Sequence, residues 1–214
     1  MFNWMRSVMN SGSVLGYFFQ VIPITILVGI IYVVIRITEI KKNKQRIKWS
    51  NEIIKLLFSC YLTGLVSLII LPANFWLNLF DGIFLGWWDE MIPFFSFGGF
   101  NFFPSFIKAL SGELVIGNWI KTMLIGNIAM FLPLGFFLPF VTEKVDRKNI
   151  FAVSAVIPLI IELLQMILGR CFDVDDLICN FIGIVLGFFI AYIIRNNKGK
   201  RRTNFDSLTE RNKN

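Results

Sequence analysis

Five long apolar runs divide this chain, and each can cross a bilayer as a helix. A hydrocarbon core of ~30 Å asks for about 20 apolar residues at ~1.5 Å of rise per residue. The runs occupy residues 14–37, 53–73, 119–141, 150–169 and 177–195. Inside lipid every backbone polar group must be paired within the protein, which turns continuous runs of this length into helices. The expected fold is therefore all-α: a polytopic membrane protein of about five transmembrane helices, with a single membrane domain over 1–195 and a basic tail over 196–214. A 56% hydrophobic composition and a mean hydropathy of +0.67 suit that class and are abnormal for a soluble domain. The first run is too long for a signal-peptide core, and no small-x-small cleavage site follows it. It reads as a retained span, bent at Pro23.

The net charge of +7 comes from basic residues placed in the links and the tail, where they set topology, so no nucleic-acid partner is expected. Of the 21 Lys and Arg, all but Arg6, Lys108, Lys121 and Arg170 fall on one side if residues 38–52, with flanking Arg36 and Lys55, 142–149 and 195–214 are cytoplasmic. The positive-inside bias then puts the N-terminus outside and the C-terminus inside. The connection 74–118 and the polar link 170–176 share the outer face in that arrangement.

Residues 74–118 are too broken by Gly, Pro, Asp81, Asp89 and Glu90 to form a span, yet rich in Phe and Trp. Such side chains favour the headgroup zone. Short interfacial pieces or a re-entrant loop are expected, either as an aromatic belt or as a wall over a lipid site.

The absence of histidine removes Ser-His-Asp triads, Cys-His pairs and imidazole metal ligands. Cys60, Cys171 and Cys179 form no CxxC pair, and their odd number argues against a disulfide framework.

Chemistry is therefore sought in the polar residues that interrupt the last three runs. Glu162 lies roughly 10 Å inside the end of the fourth run, with Gln165 on the same face at i+3. On the fifth run Asp176, Asn180, Gly183 and Gly187 share a face, and Gly183-x-x-x-Gly187 is a close-packing signature. Asn127, Phe131 and Gly135 repeat at i, i+4 and i+8 on the third. Arg170, Asp173, Asp175 and Asp176 fill the link between the last two runs. Each has a structural explanation: interhelical hydrogen bonds for Asn127 and Asn180, a neutral Glu162 or one paired with Arg170, and a solvated turn with Asp176 as helix cap. Their coincidence at one depth favours a site, because polar groups in a span are costly.

The series Asn127…Phe131-x-Pro133-Leu134-Gly135, Glu162-x-x-Gln165, Arg170, Asp173-x-x-Asp176, Asn180-x-x-Gly183, with Met91-Ile92-Pro93-Phe94 upstream, resembles the VanZ-like family over about residues 50–190. The resemblance implies a small multi-span bacterial membrane protein in a cell-envelope context. The family's namesake is associated with low-level resistance to teicoplanin, a glycopeptide.

Three functions stay open. In the first, an outer-leaflet pocket binds a glycopeptide or lipopeptide antibiotic or a lipid-linked envelope precursor. Its binding residues would be Asn127, Gln165, Arg170, Asp173, Asp176 and Asn180, with Arg170 on phosphate or carboxylate. In the second, an enzyme modifies a lipid-linked envelope substrate with Glu162 as catalytic acid or base, and Asp173 and Asp176 hold a divalent metal on substrate phosphate. In the third, a transporter carries a proton on Glu162, without the inverted repeat common in such proteins. Membrane lipid is the expected partner. The sequence assigns no cofactor and no oligomeric state.

Overall fold

The computed structural model describes residues 2–11, 13–43, 48–72, 74–88, 97–111 and 117–211. In chain order its elements are α1 (Phe2–Met9), α2 (Val14–Asn43), α3 (Trp49–Ile69), α4 (Phe75–Leu85), β1 (Phe100–Asn101), α5 (Ser105–Leu110), α6 (Asn118–Val141), α7 (Ile150–Ile167), β2 (Phe172–Asp173) and α8 (Val174–Arg211). Five helices are long and apolar enough to cross a membrane: Leu15–Asn43, Trp49–Ile69, Ile120–Val141, Ile150–Ile167 and Val174–Asn196. The protein is an all-α polytopic membrane protein.

The helices match the five apolar runs, with shifted ends. α2 runs unbroken through Pro23 and continues to Asn43, because its last turns carry basic residues that suit a helix C-terminus. α3 begins at Trp49 and stops at Ile69, short of the expected Ala73. Pro72 explains the stop, since a proline disfavours helical backbone at the residue before it. α8 starts earlier than expected, at Val174, and stays helical through the basic segment to Arg211.

Consecutive spans alternate in direction, so the bundle has two ends. The 142–149 link and Arg195 lie at one, the basic end, with the C-terminus of α2 and the N-terminus of α3. There the Arg36 guanidinium donates to both Glu52 oxygens (2.6 and 2.8 Å) and to Glu39 (2.6 Å), closing the α2–α3 hairpin. The Arg170 end gathers α1, α4, β1, α5 and β2. There Arg6 forms a forked ion pair with the buried Asp81 of α4 (3.0 and 3.1 Å), and its guanidinium lies 4.7 Å from the centre of the Trp87 ring. Of the 74–118 connection, the described residues form two short helices and one two-residue strand. β1 pairs in parallel with β2, Phe100 opposite Phe172 and Asn101 opposite Asp173. The Met91-Ile92-Pro93-Phe94 element lies outside the described residues.

α6 and α8 make the tightest contact. A Cβ on Gly187 would sit 1.9 Å from the Leu132 carbonyl oxygen, and one on Gly135 1.9 Å from that of Ile184. Only glycine lets the two backbones meet, as the small-residue spacing on α8 predicts. Around this seam Phe131, Leu134, Leu138, Ile150, Ile184 and Phe188 form a core that extends to Leu65 and Ile69 of α3. The outward faces of α2 and α7 remain apolar: Ile22, Ile26, Ile30, Leu159, Ile160 and Leu163 are exposed. Water would penalise such faces and acyl chains accept them.

Candidate functional site

The end of α3 positions the first group of polar residues. A helix leaves its last carbonyls without intrahelical partners. Here the Ile69 carbonyl accepts hydrogen bonds from Gln165 Nε2 (2.9 Å) and from Arg170 Nη1. The end of α7 is closed in the same spirit, by the Gly98 N–H on the Met166 carbonyl and the Arg170 N–H on the Gln165 carbonyl, both 2.9 Å. Gly98 is required there, because a Cβ would lie 1.6 Å from the Arg170 oxygen.

A cavity of about 410 Å³ opens beside this junction, lined by Tyr17, Gln20, Ser67, Asn74, Trp76 and Arg170 among others. Gln20 donates to the Met9 carbonyl (2.9 Å) and to Asn74 Oδ1 (3.0 Å). Asn74 holds a left-handed backbone conformation, φ 61°, at the start of α4, which asparagine tolerates better than most residues. The indole Nε1 of Trp76 is buried and has no hydrogen-bond partner among the described residues. Phe18, Val21, Leu68 and Met130 line this cavity and also a second one, an apolar groove of about 590 Å³ between α2, α3 and α6. Together they form one amphipathic recess, polar at the Arg170 end and apolar toward the middle of the bundle.

The carboxylates form a separate group between α6, α7 and α8. Glu162 is fully buried; its Oε2 accepts the Asp173 N–H (3.0 Å), while its Oε1 has no partner among the described residues. Asp173 stands at the N-cap of α8, where Oδ1 accepts the Asp175 N–H (2.9 Å). Its Oδ2 accepts from Asn101 Nδ2 (3.0 Å), and Asn101 Oδ1 accepts from Lys108 Nζ (3.2 Å). Both Asp175 oxygens accept the Ser105 N–H at 2.9 Å, capping α5. Asn127 Nδ2 of α6 donates to Asp176 Oδ1 of α8. Asn180, one turn further along α8, is buried with its Oδ1 unpaired among the described residues.

Three expectations change. Arg170 does not pair with Glu162: it turns to the Ile69 carbonyl and the cavity, while Glu162 takes a backbone N–H. The cap of α8 is Asp173 rather than Asp176, because the helix begins three residues earlier than the apolar run. The seven sequence-derived residues also do not form one pocket. Arg170 faces the recess, Gln165 braces it, and Asn127, Glu162, Asp173, Asp176 and Asn180 lie in the α6–α7–α8 group. The two groups meet at the 170–173 link, and Arg170, Asp173 and Asp176 all lie close enough for their charges to act on Glu162.

Sequence reasoning missed Gln20 and Asn74 in the recess, and Asn101, Ser105 and Lys108 beside the carboxylates; Trp76 belongs to the aromatic connection read as a belt or as a wall over a lipid site. Gln20 carries a signal, a lone amide within an apolar run. Asn101 and Ser105 carry none, since they sit in an aperiodic connection. Among the described residues no three carboxylate, thiol or imidazole groups converge as a metal site would require. Asp173 has both oxygens committed to protein donors, which fits poorly with a metal held by Asp173 and Asp176. The recess sets the Arg170 guanidinium and the Gln20 and Asn74 amides beside an apolar slot.

A family model described as VanZ/LLP1 matches residues 58–195. No curated protein and no solved structure matches the chain.

Proposed function

The chain belongs to the VanZ/LLP1 family, and on that premise we propose that it is a cell-envelope protein that binds a phosphate- or carboxylate-bearing amphiphile at the outer leaflet. The positive-inside bias of the links supports an outward-facing Arg170 end. The observation that carries the reading is the position of Arg170, on the wall of a polar cavity that continues into an apolar groove. One Arg170 nitrogen holds Ile69, and a guanidinium has five N–H donors, so donors remain for a planar oxyanion. The Trp76 N–H is a further donor with no acceptor among the described residues. The groove takes an acyl or prenyl chain. A lipid-linked envelope precursor or a lipoglycopeptide of the teicoplanin type supplies both halves, and glycopeptide resistance follows if the protein withholds either from the other. Mass spectrometry of lipids carried by gently purified protein tests the reading. An anionic, long-chain envelope lipid supports it; protein carrying bulk lipid in bulk proportions contradicts it.

Glu162 Oε1, buried and without a partner among the described residues, favours a second reading, an enzyme that modifies a lipid-linked envelope substrate at the α6–α7–α8 group with Glu162 as acid or base. Glu162→Gln separates the two: it abolishes turnover in an enzyme and leaves lipid retention intact in a binding protein.

A further inference from the structure

The opposite end of the bundle holds a second recess. A cavity of about 810 Å³ lies between the α6–α7 link and α8 at the basic end. Its floor is apolar, made by Pro139, Phe188 and Phe189, and its rim carries Arg147, Lys148 and Arg195. Two of these cations are held in place. The Arg147 guanidinium lies 4.8 Å from the centre of the Tyr192 ring, and Arg195 Nη1 donates to the Pro139 carbonyl at 3.1 Å. Two carboxylates, Glu143 and Asp146, also line the cavity. Asp146 is turned inward on its own link, where Oδ1 accepts the N–H groups of Lys148 (2.9 Å) and Asn149 (3.1 Å). The rim therefore presents two fixed cations, Arg147 and Arg195, above hydrocarbon, and its three cations outnumber the carboxylates of Glu143 and Asp146, at the level where α8 leaves the span.

We propose that this recess is a binding site for the phosphate of an anionic phospholipid from the leaflet at the basic end, with Arg147 and Arg195 as its phosphate contacts. Free inorganic phosphate shares the anion chemistry but has no use for the Phe188–Phe189 floor, which decides for lipid. Basic pockets between transmembrane helices take anionic headgroups in this way. The site is independent of the Arg170 recess and of its proposed ligand.

The test uses the full chain in nanodiscs of equal phosphatidylglycerol and phosphatidylcholine, with retained lipid read by native mass spectrometry. R147Q/R195Q is compared with K41Q/K42Q, which removes the same charge from α2 at the same end. Phosphatidylglycerol affinity is expected to fall on the order of tenfold or more in the first and to hold within about twofold in the second. Equal falls in both would reduce the effect to surface charge, and no fall in R147Q/R195Q would remove the site. Stabilisation of the wild type by inorganic phosphate equal to that by phosphatidylglycerol would overturn the lipid assignment. A photoreactive phosphatidylglycerol gives a reading free of folding effects. It should label wild-type residues 139–148 or 188–196, and labelling confined to other segments contradicts the proposal.

Discussion

Glu162 shows how a single side chain serves two masters. Its Oε2 accepts the Asp173 N–H and so anchors the start of α8, while the buried Oε1 has no partner among the described residues. Glu162→Gln keeps an acceptor for that N–H, so folded yield and melting temperature should stay near wild type. Glu162→Leu leaves the donor orphaned at a cost of about 1–3 kcal/mol and should lower both. Thermal melting of the two variants in detergent checks this, and equal melting would show that the Asp173 contact carries no weight. Asp173→Ala loses the cap of α8 and the Asn101 contact together, so it should destabilise by about 1 kcal/mol or more. Arg170 and Gln165 were legible in the sequence as polar residues at a helix end, but their partner was not. That partner is a backbone carbonyl, Ile69, and any residue type at that position would supply the same oxygen. Of the two structural alternatives for Glu162, the pair with Arg170 does not form, because an orphan carbonyl holds the guanidinium and a backbone N–H holds the carboxylate.

Among the helices, the α6–α8 seam carries the fold. The Gly183–Gly187 spacing made it legible, because small residues four apart clear a path for a neighbouring backbone. The partner surface on α6 was marked more weakly, by the single Gly135 on the Asn127–Phe131 face, and Ile128 and Leu132 beside it carry no mark. Gly187→Leu drives a side chain into the Leu132 carbonyl, and overpacking of a rigid seam costs about 1–3 kcal/mol or more. Folded protein should fall severalfold by fluorescence size-exclusion chromatography, whereas Gly126→Leu, where a Cβ meets nothing within 4 Å, should leave it unchanged. Equal yields would mean that the seam relaxes without penalty. The short elements of 74–111 were the least legible part. Their aromatic residues follow no helical or strand period, and β1 is defined only by its pairing with a strand 72 residues away.

At the scale of the whole molecule, hydropathy sufficed for the five spans, since apolar length is a one-dimensional property. The recesses are gaps between elements, and no residue pattern announces a gap. Reporter fusions after Lys148 should read cytoplasmic and those after Phe172 external; an external reading at Lys148 would invert the proposed orientation. The most direct test of the account is the amount of anionic, long-chain lipid retained by purified Arg170→Lys protein, measured against wild type by native mass spectrometry. Lysine keeps the positive charge and a terminal donor but lacks the planar fork that holds an oxyanion. Trp76→Phe, which removes the indole N–H along with the fused ring that carries it, is a second, weaker perturbation of the recess, and Gly126→Leu, outside the recess, is the control for altered folding. The account predicts normal folded yield with lipid occupancy reduced about tenfold in Arg170→Lys and by a smaller factor in Trp76→Phe. Wild-type occupancy in both variants would contradict it.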